Sequence, residues 1–299
     1  MNKHLISEVF YSIQGEGKYT GVPTAWVRFF QCNLQCNGFG QKDPTDPTTH
    51  ILPYKDFDPT TVNRIEDLPV WKYGCDSSYS WAAKFKHLQH QKNAAEIADM
   101  VEACLKNEWN PEGKFLHPAS LQEQHLCFTG GEPMLAKAQT AMSEIILELY
   151  NRNNFPRSMT IESNGTQPIT DDLIRIVNTN KLFFSVSPKL FTVSGEKNDK
   201  AIKPEIVSEY AYYFDGQLKF VMGSEERQWD ELDRVIDQFR DHDVLWPAWI
   251  MPVGATLEGQ HGEYGGHAPC GKVAEMAYKR GYNVSPRVHV DLWGNVIGV

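Results

Sequence analysis

The chain has 299 residues, 41% of them hydrophobic and 22% charged, with a net charge of −9, the makeup of a globular protein long enough to bury a sizeable core. The acidic balance argues against a general nucleic-acid coat, since phosphate binding needs a basic surface, but it leaves room for a local basic pocket around an anionic ligand. No apolar run approaches the roughly 18 residues of a membrane helix, and the polar start Met1-Asn2-Lys3-His4 is unlike a secretory signal, so the expectation is a cytoplasmic protein without a nucleic-acid or membrane partner.

In chain order, apolar and β-branched runs predict strands at 5–13 and 24–30. Residues 37–74, rich in Pro, Thr and Asp (Asp43-Pro44-Thr45-Asp46-Pro47) and without a period, read as an inserted loop. A helix follows at 93–107, where Ile97, Met100, Val101, Cys104 and Leu105 share a face. Then come a strand at 125–128, a helix at 137–152 carrying Ile145, Ile146 and Leu149, and strands at 158–163, 182–187 and 217–222. The helix at 226–240 has the stripe Trp229, Leu232, Ile236 and Phe239. Strands at 244–251 and 284–290 flank a Gly- and His-rich excursion at 254–269. The alternation predicts an α/β chain with a mostly parallel sheet, read as a single domain over 1–299 with two interruptions. Alternation by itself does not choose between an open sheet and a barrel.

The chemistry begins with cysteine. Six lie at 32, 36, 75, 104, 127 and 270, and in a long chain without a signal peptide, metal ligands and buried thiols explain them better than a disulfide framework. Cys104 on a helix face and Cys127 in a strand read as core, and Cys270 opens a helix-like stretch. Cys32 and Cys36 are soft ligands suited to an iron–sulfur cluster. Thr129-Gly130-Gly131-Glu132-Pro133 directly follows Leu126-Cys127-Phe128, a strand end where missing Cβ atoms let backbone groups approach a small ligand. A zinc site from Cys32, Cys36, Cys75 and a histidine is a second option, but it leaves the Gly-Gly-Glu-Pro block unexplained. Arg28, between Val27 and Phe29-Phe30, offers a carboxylate-matching fork in a mainly buried strand. His289, in an alternating strand, reads by itself as a satisfied core histidine.

Clustered cysteines with a glycine-rich strand end resemble the radical S-adenosylmethionine (SAM) enzymes. Further blocks sharpen this: Ser12-Ile13-Gln14-Gly15-Glu16-Gly17, Gly21-x-Pro23, Trp26-Val27-Arg28-Phe29, Glu162-Ser163-Asn164-Gly165-Thr166, Ser185-Val186-Ser187-Pro188-Lys189, Ser285-Pro286-Arg287-Val288-His289 and Trp293-Gly294-Asn295. In this order they resemble the 7-carboxy-7-deazaguanine synthases, over most of 5–36, 75–79, 125–190 and 245–299. The Ser-Ile-Gln-Gly-Glu-Gly block is specific to them, while Gly-Gly-Glu-Pro is shared more widely.

The resemblance implies a partial (β/α) barrel, a 4Fe–4S cluster, SAM and Mg²⁺. It also implies an external reductant such as flavodoxin, a homodimer, and conversion of 6-carboxy-5,6,7,8-tetrahydropterin to 7-carboxy-7-deazaguanine. Family spacing is Cys-x3-Cys-x2-Cys, which would put the third thiol at Phe39. Cys75-Asp76-Ser77-Ser78-Tyr79 resembles the family's last ligand with the residues behind it, so Cys32, Cys36 and Cys75 are the expected ligands with an insertion between them, and Ser77 stands where the family uses threonine toward Mg²⁺. SAM contacts are expected from Gly130, Gly131, Glu132, Ser163, Ser187, Pro188, Lys189, Met251, Pro252, Val253 and Gly254. Met251 departs from a polar residue in the family. Substrate contacts are expected from Ile13, Gln14, Gly15, Arg28, Thr129 and His289, with Glu16 and Glu162 as catalytic carboxylates. A glycyl-radical-enzyme activase and a non-catalytic metal-stabilised module are the alternatives.

Overall fold

Among the described residues nine strands build one sheet in the order β3-β1-β2-β4-β5-β6-β7-β8-β9. The computed structural model describes residues 2–177, 181–262 and 269–298. The strands are β1 (His4–Ile13), β2 (Pro23–Phe29), β3 (His90–Lys92), β4 (His125–Gly130), β5 (Ser158–Ser163), β6 (Lys181–Val186), β7 (Asp215–Met222), β8 (Ala248–Pro252) and β9 (Asn283–Val284). β1 runs antiparallel to β2 and β3, and every pair from β2 to β9 is parallel. The parallel strands follow chain order without a switch point. Crossovers of one hand then lie on one face and the sheet curls around the other, as in part of a barrel that does not close.

The helices cover that outer face with the predicted stripes. Ala94–Leu105 buries Ile97, Ala98, Val101 and Leu105, and starts at a capping box in which Asn93 and Glu96 exchange side-chain-to-backbone bonds. Ala136–Asn151 buries Met142, Ile145, Ile146 and Leu149. Glu226–Asp241 buries Trp229, Leu232, Val235, Ile236 and Phe239, each large side chain contributing roughly 1.5–3 kcal/mol by leaving water. Cys104 is partly buried on its helix against the apolar core, and Cys127 is fully buried in β4 near Glu162, Lys219 and Arg28. Among the described residues no helix is long and apolar enough to cross a membrane.

The structure corrects three readings. The strand expected at 284–290 stops at Val284. Ser285 N–H makes a last bond to Ile250 O at 2.8 Å, Pro286 has no N–H to continue the ladder, and Val288–Trp293 is a helix. His289 therefore lies on a helix. Residues 37–74 are more than a loop: short 3-10 turns and the helical turn Pro53–Asp56 gather Tyr54, Ile65, Leu68 and Trp71 with Tyr79, Phe85 and Leu88 into a second small core. Its aromatic pairs have no sequence period to announce them. β3, three residues at the sheet edge, also went unpredicted. Of the excursion at 254–269, Leu257–His261 forms a short helix, and residues 263–268 lie outside the described residues.

Candidate active site

A cavity of about 290 Å³ opens over the C-terminal ends of the parallel strands, where a barrel-type sheet presents its loops. Cys32, Cys36 and Cys75 line it together. The insertion closes on itself by one backbone bond, from Gly74 N–H to Phe39 O at 2.8 Å, so Cys75 arrives beside the position that uninterrupted spacing would give the third thiol. Loop closure rises only slowly in cost with length, which makes so long an excursion tolerable.

The first two thiols are held by clamps from the far side of the cavity. Glu196 accepts from the backbone N–H of Gln35 and Cys36 at 2.6 and 2.8 Å, and Gly38 N–H donates to Ser194 O. A Cβ on Gly38 would stand 2.6 Å from the Ser194 carbonyl carbon. Asn164 and Asn33 pair their side-chain amides at 3.0 Å, tying the loop to β5. Burial, reinforced by Glu132, pushes the Cys32 thiol up to about 12, and burial raises Cys36 and Cys75 as well. Thiols of this kind lose their protons when a metal replaces them. Among the described residues no three His, Cys, Asp or Glu side chains are grouped for a single metal ion. A four-iron cube takes its thiolates at separate corners, so the set fits a cluster better than the zinc option. The fit of the cysteines to such a cluster rests on this convergence and on the softness of sulfur.

Beside the cysteines, the ends of β4, β5, β6 and β8 contribute Gly130, Gly131, Ser163, Ser187, Lys189, Met251, Val253 and Gly254 to the wall. A Cβ on Gly131 would meet Gln31 O at 2.1 Å and Cys32 Cβ at 2.9 Å, so this glycine lets β4 end against the cysteine loop. Lys189 Nζ donates to Ser187 Oγ at 2.8 Å and lies over the Phe39 ring. Glu132, Pro188 and Pro252 are not on the cavity wall. Glu132 is buried behind it, accepting from Ser163 Oγ, Met134 N–H and Asn164 N–H; burial raises its carboxyl above the ordinary range. Its visible work is to fix Ser163 and Asn164.

The opposite half of the cavity is a charged network. Ile13, Gln14, Gly15, Glu16, Arg28, Thr129, Glu162, Ser77 and His289 all line it. Gln14 Nε2 and Thr129 Oγ1 donate to the two oxygens of Glu162 at 3.3 and 3.2 Å. Lys219 Nζ reaches Glu16 at 2.5 Å and Glu162 at 3.4 Å, and Arg287 spans Glu16 (3.1 Å), Asp76 (2.8 Å) and Gly254 O (2.6 Å). Burial alone would raise Glu16, but Lys219 and Arg287 outweigh it and hold the carboxyl well below its usual range. Burial lowers His289 more than nearby Glu16 raises it, which favours the neutral ring. His289 rests on Gly15, where a Cβ would fall 2.0 Å from Nδ1. Arg28 Nε donates to Glu8 at 2.7 Å, and Tyr79 OH donates to the same oxygen at 2.9 Å. Burial would lower the Arg28 guanidinium, yet Tyr79 and Glu8 keep it raised and charged.

Sequence reasoning missed Lys219, Asp76 and Arg287 as site residues. A lysine inside the otherwise apolar run 218–222 was the signal for Lys219, and Arg287 sat unassigned in the block that carried His289. The tail residues 295–298 also line the cavity. Ile297 packs on the second core, so insertion and tail together form a roof.

No family model matches the chain. It is 26% identical to the 7-carboxy-7-deazaguanine synthase of Halobacterium salinarum, over 97% of this chain and 90% of that protein. It is 24% identical to the synthase of the same name from Pyrobaculum aerophilum, over 98% and 96%. The chain is thus similar to 7-carboxy-7-deazaguanine synthases over nearly its whole length. The crystal structure of QueE from Escherichia coli superimposes with a TM-score of 0.53 at 17% identity, covering 96% of this chain and 95% of that one. That likeness carries the fold, the open, mostly parallel partial barrel. Apart from Gly21-x-Pro23, each of the blocks read from the sequence contributes at least one residue to the cavity lining.

Proposed function

We propose that the chain is a radical SAM carbon–nitrogen lyase that converts 6-carboxy-5,6,7,8-tetrahydropterin to 7-carboxy-7-deazaguanine by ring contraction with loss of ammonia. The observation that carries this is the convergence of Cys32, Cys36 and Cys75 on one cavity whose other half is a cationic and carboxylate network. Cys32, Cys36 and Cys75 would hold a 4Fe–4S cluster, which together with SAM would supply the radical chemistry for removing one substrate hydrogen. The protein's own part is placement. Gly130 and Gly131 open the β4 end to SAM, with Ser163, Ser187, Lys189, Met251, Val253 and Gly254 around it. Arg28 meets the substrate carboxylate with the guanidinium nitrogens that Glu8 does not use. Glu162, fixed by Gln14 and Thr129, and Glu16, fixed by Lys219 and Arg287, accept from the N–H edge of the bicycle and take up protons released there. Ile13 and Gly15 supply backbone groups, and neutral His289 a ring nitrogen. The roof of insertion and tail excludes water from the reacting centre.

Ser77 belongs to the same proposal as a Mg²⁺ contact, its hydroxyl beside Cys75 Sγ at 3.6 Å and substrate oxygens completing the shell. Turnover is then expected to require Mg²⁺, with Ser77→Ala raising the concentration needed and Ser77→Thr keeping activity. Unchanged turnover in chelator would remove the ion from the scheme. An external reductant such as flavodoxin and a homodimer enter on the family resemblance alone, and a cytoplasmic setting on free cysteines that suit a reducing compartment.

The deciding assay incubates reconstituted, reduced protein with SAM and the carboxypterin and follows 7-carboxy-7-deazaguanine. Cys75→Ala is expected to abolish a competent cluster by iron content and absorbance, whereas Cys104→Ala keeps it. A competent cluster in Cys75→Ala would sink the insertion reading, and SAM cleavage without this product would sink the substrate.

A further inference from the structure

Three short segments beyond the cavity bring a thiol, an imidazole and a carboxylate into line. Cys270, in the first turn of the helix Pro269–Lys279, places Sγ 3.7 Å from His261 Nδ1. His261 ends the helix Leu257–His261, and its Nε2 lies 2.6 Å from Asp291 Oδ1 on the helix Val288–Trp293. None of the three lines the cavity. His261 and Asp291 are exposed and Cys270 is half-buried. The other cysteines are differently placed. Cys32, Cys36 and Cys75 face the cavity, Cys127 is fully buried, and Cys104 donates to Val101 O at 3.1 Å with its thiol pushed up to about 12 by burial.

The arrangement supplies what a thiol nucleophile needs: a base within reach of the S–H, and a carboxylate on the base's other nitrogen to fix its tautomer and ring orientation. The first-turn N–H groups of the helix add a favourable field for a thiolate. We infer that Cys270 is a reactive surface thiol that accepts a mixed disulfide from a low-molecular-weight disulfide such as oxidised glutathione. His261 Nδ1 takes the Cys270 proton, and the thiolate attacks one sulfur of the disulfide. The protein–glutathione S–S bond forms as the original S–S bond breaks. The leaving glutathione thiolate takes the proton from His261, so protein sulfur is oxidised and one glutathione reduced. This site acts independently of the chemistry proposed for the cavity.

The test exposes full-length protein, without oxygen, to excess oxidised glutathione, quenches at intervals and quantifies glutathionylation at each cysteine by peptide mass spectrometry. Cys270 is expected to react at least about ten-fold faster than Cys104. His261→Gln should slow it by about ten-fold or more and Asp291→Asn by a smaller factor, with thermal melts like the parent's. Should His261→Gln fail to fold, Asp291→Asn and the parent's Cys270-to-Cys104 ratio still decide. Reaction at Cys270 no faster than at Cys104, or rates untouched by either folded variant, would overturn the inference.

Discussion

Arg28 gives Nε to Glu8 and lies against the face of Tyr79, with its guanidinium centre 5.9 Å from the ring centroid. A lysine there could keep one charge contact but not a planar two-point grip on a ligand carboxylate. Arg28→Lys is therefore expected to lower kcat/KM for the carboxypterin by on the order of 10- to 100-fold, the worth of a charged hydrogen bond. SAM cleavage without substrate should persist, because the cysteines and Gly131 are untouched. Parallel assays of product and 5′-deoxyadenosine check this, and equal loss of both would give the arginine a structural role. That Arg28 sits in a mainly buried strand was legible from its apolar flanks. Its partner Glu8 was not, because the two meet across the β1–β2 pairing, where Glu8 stands opposite Arg28.

The junction between β4 and the cysteine loop shows what one missing side chain does for two elements. Gly131 N–H donates to Phe29 O, Glu132 N–H donates to Gln31 O, and any Cβ at 131 would run into the Gln31 carbonyl. Gly131→Ala must push the loop that carries Cys32 and Cys36, so lowered iron incorporation together with a lower melting temperature is expected. Gly271→Ala is the control. Nothing lies within 4 Å of a Cβ there, and in a helix the change gains roughly 1 kcal/mol. Iron content and melting of the two variants side by side make the comparison; full iron loading in Gly131→Ala would mean that the loop yields freely. The glycine pair was readable as a close approach, but what approaches it was not, because Gln31 and Gly131 are far apart in sequence.

At the scale of the whole molecule, acid stability has an identifiable contributor at the foot of the sheet. His125 begins β4, with Nε2 2.6 Å from Thr160 Oγ1 and its ring 4.8 Å from that of Tyr19. Burial lowers it from the usual 6.5 to about 4. The folded state therefore holds it neutral while the unfolded chain binds its proton first, so stability is lost as pH falls from about 6.5 toward about 4. The full effect is on the order of 3 kcal/mol once both forms are protonated. Denaturant titrations across this window should show the fall, and a folded His125→Gln variant should show a shallower one. Identical slopes would assign the acid sensitivity to other groups.

By itself the sequence determined the alternating elements, the outer helix faces and the residue types at the strand ends. Those depend on periodicity and local turn chemistry, which are short-range. It also marked Cys75 as the candidate third thiol through the Asp-Ser-Ser-Tyr residues behind it. Tertiary structure decided the rest. The Gly74–Phe39 bond that closes the insertion, the aromatic core inside it, and the tail that joins it as a roof all depend on contacts between distant segments. So does the Lys219–Glu16–Arg287–Asp76 network, whose members come from four separate parts of the chain. A charge can be read in a sequence, but whether burial leaves it facing an opposite charge is settled only when the chain has folded.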